Sequence, residues 1–407
     1  MVIVLLLLPT FLSFTPLPLL RPQTSSLTKL HSTAIMNSTV LSPILVTSLP
    51  PLSPTKYPTL STIKRSLSPS LFEINTKKSL TYVAKDILQY IVTTAPLLAI
   101  ASSDQNPILQ TLESLPFFLA SGTSLWSLWC LGHDAGHGLI SPNPKVNEIV
   151  GELCHGCFCG TPFWGWKESH ARHHMGHNHL TNDYSHQWFI LPEAKKVSNE
   201  IESVWWMKLG YDLRAIQLPF LYFIYLYIGI PDGNHFIPVG RLWDDLKVNR
   251  NRALISSTIT ITYISTLIHF LGLSFIPVIL IPWLGMSFWL FMVTYLQHHS
   301  EEGVLYTEES WGFVKGAFET VDRDYGEFWN EISHNMMDGH VLHHLFFTGV
   351  PHYNLQRGTS ELKQVLRERG ELDYYKFEDT KDFVGEIWRK WNDNWFFVNE
   401  DNVIYKE

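Results

Sequence analysis

Three short histidine clusters are the residues of this chain best suited to chemistry: His133-Asp-Ala-Gly-His137, His170-Ala-Arg-His173-His174 and His340-Val-Leu-His343-His344. They hold eight of its nineteen histidines. On a helix, positions i, i+3 and i+4 share one face, so each cluster can aim two or three imidazoles at one point. Imidazole suits Fe, Zn, Cu and Ni, and any one cluster alone would read more simply as surface histidine. Three with related spacing carry more weight. Eight imidazoles exceed a four-coordinate zinc site and fit two metal ions. An all-histidine shell also differs from the Glu-rich shell of soluble di-iron bundles.

The elements that must position these clusters show themselves through missing charge. No Lys or Arg occurs from Asp86 to Pro144, nor from Ala253 to Val314. Each gap is about 60 residues, enough for two spans of about 20 residues and a turn. Spans are expected near Ile87–Ala101, Leu115–Leu131, Leu254–Leu271 and Phe275–Leu296, with turns around Ser102–Ser114 and Gly272–Ser274. The N-terminal approach (Lys64, Arg65, Lys77, Lys78, Lys85) and the middle loop (among others Lys145, Lys167, Arg172, Lys195, Arg214, Arg241, Arg252) are basic. The positive-inside rule therefore puts both chain ends and the middle loop on the cytosolic or stromal side. The fold class is all-α integral membrane: four transmembrane helices as two hairpins.

Topology then constrains the chemistry. The first cluster begins two residues after the second expected span, at its inner mouth, and the second cluster lies in the basic middle loop. The third reaches the same side only after an even number of crossings, which the third and fourth spans supply. The apolar stretch Ala215–Pro231 would strand it on the opposite side if it also crossed, so it is expected to lie in the interface.

Around the clusters, Thr294-Tyr-Leu-Gln-His298-His299, Val321-Asp-Arg-Asp-Tyr-Gly326 and His334-Asn335…Asp338…His340 complete a pattern that resembles the membrane fatty acyl desaturases, in their methyl-end (Δ12/ω3-type) branch. The similarity runs from about Tyr57-Pro-Thr-Leu60 to near the C-terminus. The resemblance implies a mushroom-shaped bundle of four spans under a cytosolic or stromal helical cap that holds a di-iron site. Carried over by position, the metal ligands are His133, His137, His170, His173, His174, His340, His343 and His344. A ninth from the inner end of the fourth span is best matched by His298, with His299 its nearest rival. Asp183 and His334 are expected to stand behind the ligands, Asp183 accepting the imidazole N–H that faces away from metal.

A mid-chain methylene has no acidic proton and no polar handle, so the family implies that two iron ions and O2 provide the oxidising power. No catalytic side chain distinct from the metal ligands is expected. The protein holds the acyl chain in an apolar tunnel and sets which carbons are reached. Two electrons must come from a separate donor, since no His-Pro-Gly-Gly element of a fused cytochrome b5 domain occurs. The implied donor is cytochrome b5 at the endoplasmic reticulum or ferredoxin in a plastid, and the acyl carrier is a phospholipid, galactolipid or CoA. The His133-to-Gly138 run and Gln297-His298-His299 lean towards ω3-type members, while His334-Asn335-Met-Met-Asp338 resembles the Δ12 pattern. The ω3 reading is favoured.

Composition bounds the alternatives. In 407 residues, 45% are hydrophobic, only 17% charged and 14% aromatic, which suits a protein with much surface at a membrane interface. A net charge of −8 argues against nucleic acid as a partner. Residues 1–55 precede the first acid, Glu73, and open with a short Pro-broken apolar run before a Ser/Thr/Pro-rich stretch. They read as a signal followed by transit-like sequence, or as a disordered tail with initiation at Met36. The desaturase domain is residues 56–407.

Several features are set aside. Cys154-His155-Gly-Cys157-Phe-Cys159 lacks a second Cys pair and lies where the resemblance implies a short membrane-dipping helix, so it reads as packed, reduced thiols. His177, His179 and His186 read as solvated loop histidines, with His177 also a candidate to stand behind a ligand, His269 reads as a neutral interfacial residue, and His235 and His352 have no assigned role. Asp322, Arg323 and Asp324 read as a charge-paired brace, and Trp388 to Trp395 as cap packing. A histidine-rich metal transporter would carry its acids and histidines inside the spans. Here they flank the spans. No His-Glu-x-x-His of a zinc protease occurs. Within the family, a hydroxylase, epoxygenase or acetylenase would use the same ligands.

Overall fold

In the computed structural model the described residues are 57–183, 185–186, 196, 199–212, 222–227, 235–244, 249–300, 303–386, 388, 397–398 and 404–405. Four of their helices are long and apolar enough to cross a membrane. The first hairpin is α2 (Thr76–Ala101) and α3 (Pro107–Gly136), preceded by a short α1 (Leu60–Ser66). Asn75 caps α2 by accepting from the Lys78 backbone N–H at 3.0 Å. Asn106 likewise caps α3, whose first residue is Pro107. Proline at that position loses no hydrogen bond and has the right φ for a helix start. This start corrects the longer turn expected through Ser114: α3 begins at Pro107, and only residues 102–106 connect the two helices.

Both helices outrun the hydrocarbon core. At 30 residues, α3 is about 45 Å long against a core of roughly 30 Å, so its last turn emerges carrying His133. The second hairpin is α6 (Arg250–Leu271) and α7 (Ile281–His298). Gly272, at φ +54°, begins the expected turn at Gly272–Ser274, and a π-helical stretch Ile276–Leu280 leads into α7. In the interior of the bundle are α3 and α7, with 67% and 61% of their most apolar stretches buried, against 22% for α2 and 17% for α6. The outer pair therefore exposes Leu88, Ile91, Val92, Ile255, Ile261 and Phe270. An apolar surface of that extent is stable in lipid and costly in water. The chain is an integral membrane protein.

Between the hairpins, α4 (Pro144–Gly151) runs into a π-helical turn, Glu152–Phe158, and then α5 (Phe163–Gly176). This loop is fastened to α6: Ser256 Oγ donates to Glu152 at 3.0 Å and accepts from the Trp164 backbone N–H at 3.2 Å. Most of Ala215–Pro231 lies outside the described residues, and with it the expectation that this stretch does not cross. Its described helical part, residues 222–227, is pinned by Tyr227, whose hydroxyl donates to the Cys159 carbonyl at 2.6 Å.

The cap follows α7. Strand β1 (Val321–Asp324) pairs in parallel with β2 (Lys376–Asp379), with Val321 opposite Lys376. Next come α8 (His340–Leu345) and the amphipathic α9 (Leu355–Glu368). The N-terminal segment closes over α9, where Glu361 accepts from the Ser68 backbone N–H at 2.8 Å, and Ile63 is fully buried. The expected charge-paired brace is present in part: Arg323 pairs with Glu378 and Asp324 stands 3.6 Å from Lys381, while Asp322 is held by neutral donors. Arg323 is fully buried, donating to the Leu296 carbonyl at 2.9 Å and to Glu378 at 2.5 Å. Asp322 accepts from the Val341 N–H at 2.7 Å and from the Tyr375 hydroxyl, and Asp324 accepts from Gly326 and Asn330. Trp388 is exposed, and residues 389–395 fall outside the described residues.

Candidate metal centre

Each histidine cluster sits on a helix end, and the ends meet. His133 is in the last turn of α3 and His137 caps it. His170, His173 and His174 share one side of α5, where the Trp166 ring stacks on His170 one turn away with centroids 4.5 Å apart. His340, His343 and His344 make up half of α8. A side chain at Gly339, just before α8, would collide with the Asn335 carbonyl and Leu355, so glycine lets this helix sit against α9. His298 is the last residue of α7.

Two groups form. The ligand atoms of His133, His137, His170, His174 and His343 lie within 4.8 Å of one another, and so do those of His173, His298 and His344. His340 joins the second group, its Nε2 standing 3.0 Å from that of His298 and 3.1 Å from that of His344. Within the first group the Nε2 atoms of His174 and His170 are 2.9 Å apart, those of His343 and His174 3.1 Å, and those of His137 and His133 3.3 Å. In the second, His173 and His298 face each other at 3.2 Å. The nine positions named from sequence are thus brought together, with His298 in the cluster. His299 turns away, its Nδ1 at 2.8 Å from the Tyr295 carbonyl and its ring stacked on Tyr295.

The electrostatics suit a cation. Burial, and then the neighbouring imidazoles, hold His170, His174, His340, His343 and His344 well below the ordinary histidine value. They are neutral at neutral pH, with lone pairs free. Nε2 atoms crowded this closely cannot all donate to one another. Imidazole–metal bonds of roughly 2.1 Å at right angles place neighbouring nitrogens about 3.0 Å apart. That is the spacing observed, so the residues fit a metal in each group.

Behind the cluster, Asp183 accepts from His173 Nδ1 at 2.8 Å and from the backbone N–H groups of Asn178 and His186 at 3.2 Å each. A carboxylate in that place fixes which nitrogen of His173 carries the proton. His334 is placed differently from the expectation. Its Nε2 meets Asp86 at 2.6 Å, and its ring lies against Tyr82 and His352 rather than against a box histidine. His352, without a role from sequence, bonds Asp134 at 2.8 Å. Asp134 was open to view as the acid inside the first cluster. Its pairing with His352 depends on how the loop after α8 returns, which no local signal reports.

The loop histidines also correct the sequence reading. His177, His179 and His186 are buried rather than solvated. His177 Nδ1 lies 2.6 Å from the His174 carbonyl, and burial pushes its value down to about 4. His179 bonds Glu308 at 3.0 Å, and the His186 ring lies 4.4 Å from that of His298. The segment Gly303–Phe318 folds back over His177 and His179, the Leu180 N–H donating to the Tyr306 carbonyl and the Tyr306 N–H to the Asn178 carbonyl. His186 packs instead against the rings of His173, His298 and His299. His235 is buried against the Leu226 carbonyl, and His269 is exposed near the outer end of α6. All four cysteines are free thiols, with Cys154 and Cys159 fully buried.

The family model described as Fatty acid desaturase matches residues 112–376. The Delta(12) fatty acid desaturase fat-2 of Caenorhabditis elegans is 30% identical over 352 residues, covering 84% of this chain and 85% of that protein. An endoplasmic reticulum omega-3 fatty acid desaturase of Vigna radiata var. radiata is 32% identical over 317 residues, 75% of this chain and 77% of its own. A chloroplastic sn-2 acyl-lipid omega-3 desaturase (ferredoxin) of Arabidopsis thaliana is 33% identical over 331 residues, 79% and 68% of the two chains. With four spanning helices and a histidine cluster at their common end, the chain belongs to the fatty acid desaturase family, in its methyl-end branch, and is a membrane-bound oxidoreductase.

Proposed function

We propose that this desaturase holds two iron ions and uses O2 to place a cis double bond in the methyl-end half of an already unsaturated acyl chain, with ω3 regiochemistry favoured over Δ12. His133, His137, His170, His174 and His343 would hold one iron, and His173, His298, His340 and His344 the other. The observation that carries this reading is the convergence of nine buried or half-buried imidazoles whose Nε2 atoms face one another at 2.9–3.3 Å. Iron bound there would supply hydrogen abstraction from an unactivated methylene, chemistry no side chain of this protein can perform.

The chain's own contribution is to position and to exclude. Asp183 fixes the proton of His173 so that Nε2 faces the cluster. Buried apolar side chains on α3 and α7, among them Leu125, Trp129, Met286 and Phe291, keep the core beneath the cluster without water. The substrate is an acyl lipid, and the electrons come from a separate donor, ferredoxin in a plastid or cytochrome b5 at the endoplasmic reticulum. The relatives named for both compartments, and one named with ferredoxin, support this range.

Expression in a yeast lacking polyunsaturated lipids, with feeding of oleoyl, linoleoyl and arachidonoyl precursors, tests the reading. New methyl-end double bonds from the latter two support ω3 action, and linoleate made from oleate supports Δ12. Purified protein without stoichiometric iron, or a hydroxylated main product, would overturn it.

A further inference from the structure

The molecule carries a second polar construction that the metal centre does not use. Asp86, on the spanning helix α2, is 2% exposed, and Asp134, on α3, is fully buried. Carboxylates at such places are costly unless paired. Asp86 receives His334 at 2.6 Å. Asp134 Oδ2 receives both the ring Nδ1 of His352, at 2.8 Å, and its backbone N–H, at 3.0 Å. The two imidazoles touch each other, ring centroids 4.7 Å apart, and the Tyr82 ring meets both edge-on. The other oxygen of Asp134, Oδ1, faces His133 Nδ1 across 3.6 Å, and among the described residues neither atom has a hydrogen-bond partner.

The backbone is bent to allow this. His334 and Asn335 are consecutive non-glycine residues at φ +53° and +57°, a conformation that persists only where surroundings impose it. His334 precedes the third histidine box and His352 follows it, so the two arms bracket α8 while their carboxylates stand on α2 and α3.

We propose that Asp86, His334, His352 and Asp134 form a buried carboxylate–imidazole relay that orients His133 and locks the first histidine box in register with the third. This rests on the proposed ligand role of His133. His352 holds Asp134 from one side, so Oδ1 stays directed at His133 Nδ1. A proton kept on that nitrogen leaves Nε2 for metal. The four are positioning residues, and a brace with no influence on His133 is the reading to be excluded.

The test uses full-length protein purified in detergent, with metal content, Mössbauer spectrum and thermal midpoint measured on the same samples. Asp134→Asn keeps size but offers an N–H to one neighbour. His352→Gln removes the ring opposite His133 without touching the box. Both are expected to fold with a thermal midpoint lowered by the lost pairing around Asp134, and to bind iron 10- to 100-fold more weakly at one position, with one of two quadrupole doublets altered. Asp86→Asn shifts the same doublet by less. Full occupancy and an unchanged spectrum in His352→Gln overturn the relay, and that variant decides the matter if Asp134→Asn does not assemble. Wild-type protein that binds no iron would instead sink the ligand assignment itself.

Discussion

The Nε2 atoms of His173 and His298 lie 3.2 Å apart although 125 residues separate them in the chain. His299, adjacent in sequence, is stacked on Tyr295 with ring centroids 4.3 Å apart. The two neighbours are therefore separable by mutation. His298→Ala is expected to lower activity at least 10-fold and to reduce bound iron. His299→Phe, which can keep the stack, is expected to retain both within about threefold, a change worth under 1 kcal/mol. Iron analysis and lipid profiling of the two variants check this, and equal losses would remove the distinction.

How far the sequence reached follows from what kind of signal each feature leaves. Charge gaps of about 60 residues located all four spans, because lipid tolerates so few alternatives. The boxes were legible because helical spacing is local. Their pairing was not. That His340 meets His298 while His343 meets His174 depends on how α8 enters between α5 and α7. The burial of His177 under Phe313, and the partnership of His352 with Asp134, come from returning loops. Their sequence carries no periodicity to read.

Where α3 and α7 cross, glycine faces glycine. A Cβ built on Gly122 would stand 3.0 Å from the Gly285 Cα and 3.1 Å from the Pro282 carbonyl. Small residues at a crossing let backbones approach and pack in the absence of a hydrophobic drive between helices. Gly122→Val is expected to push these helices apart and to destabilise the protein by about 1–3 kcal/mol. A lower thermal midpoint in detergent, with activity reduced in proportion, is the expected result. A midpoint equal to wild type would show that the crossing has slack.

Arg323 ties the cap to the bundle. Its Nε donates to the carbonyl of Leu296, two residues before His298, while its Nη1 reaches Glu378 on β2. Because the Glu378 side chain is 35% exposed, that carboxylate can rehydrate if the arginine is lost. The larger cost is the Leu296 carbonyl left without its donor, about 1–3 kcal/mol. Arg323→Met is expected to lower stability by that amount and to weaken iron retention, since the end of α7 loses its tie. Arg323→Lys keeps the charge but cannot serve both acceptors, so it is expected to rescue only part. Full rescue by lysine would mean that charge alone matters.

Acid should unfold this protein through its histidines, and the sign can be followed group by group. An unfolded histidine titrates near 6.5. His177 and His235 are both held down at about 4 by burial, and five box histidines outside the spans lie well below their ordinary value. Between about pH 6.5 and 4 the unfolded chain therefore takes up protons that the native fold refuses, and stability falls as pH falls. His177 and His235 each account for roughly 3 kcal/mol across that window. Asp322 and Asp338 and the Glu152 carboxyl act in the opposite direction. Burial raises them to about 6, 7 and 7, so the native state binds protons there and gains stability on acidification. Burial raises the Glu168 carboxyl as well, and it lowers His155, His186 and His352, so the depressed histidines outnumber the raised carboxyls and leave a net loss. The thermal midpoint of metal-free protein is expected to drop as pH is lowered from about 7.5 to 5. His235→Phe removes one such proton and is expected to flatten the slope by up to about 1.4 kcal/mol per pH unit. A midpoint that held steady or rose over this range, with a slope unchanged in His235→Phe, would mean that these imidazoles do not refuse protons in the native fold.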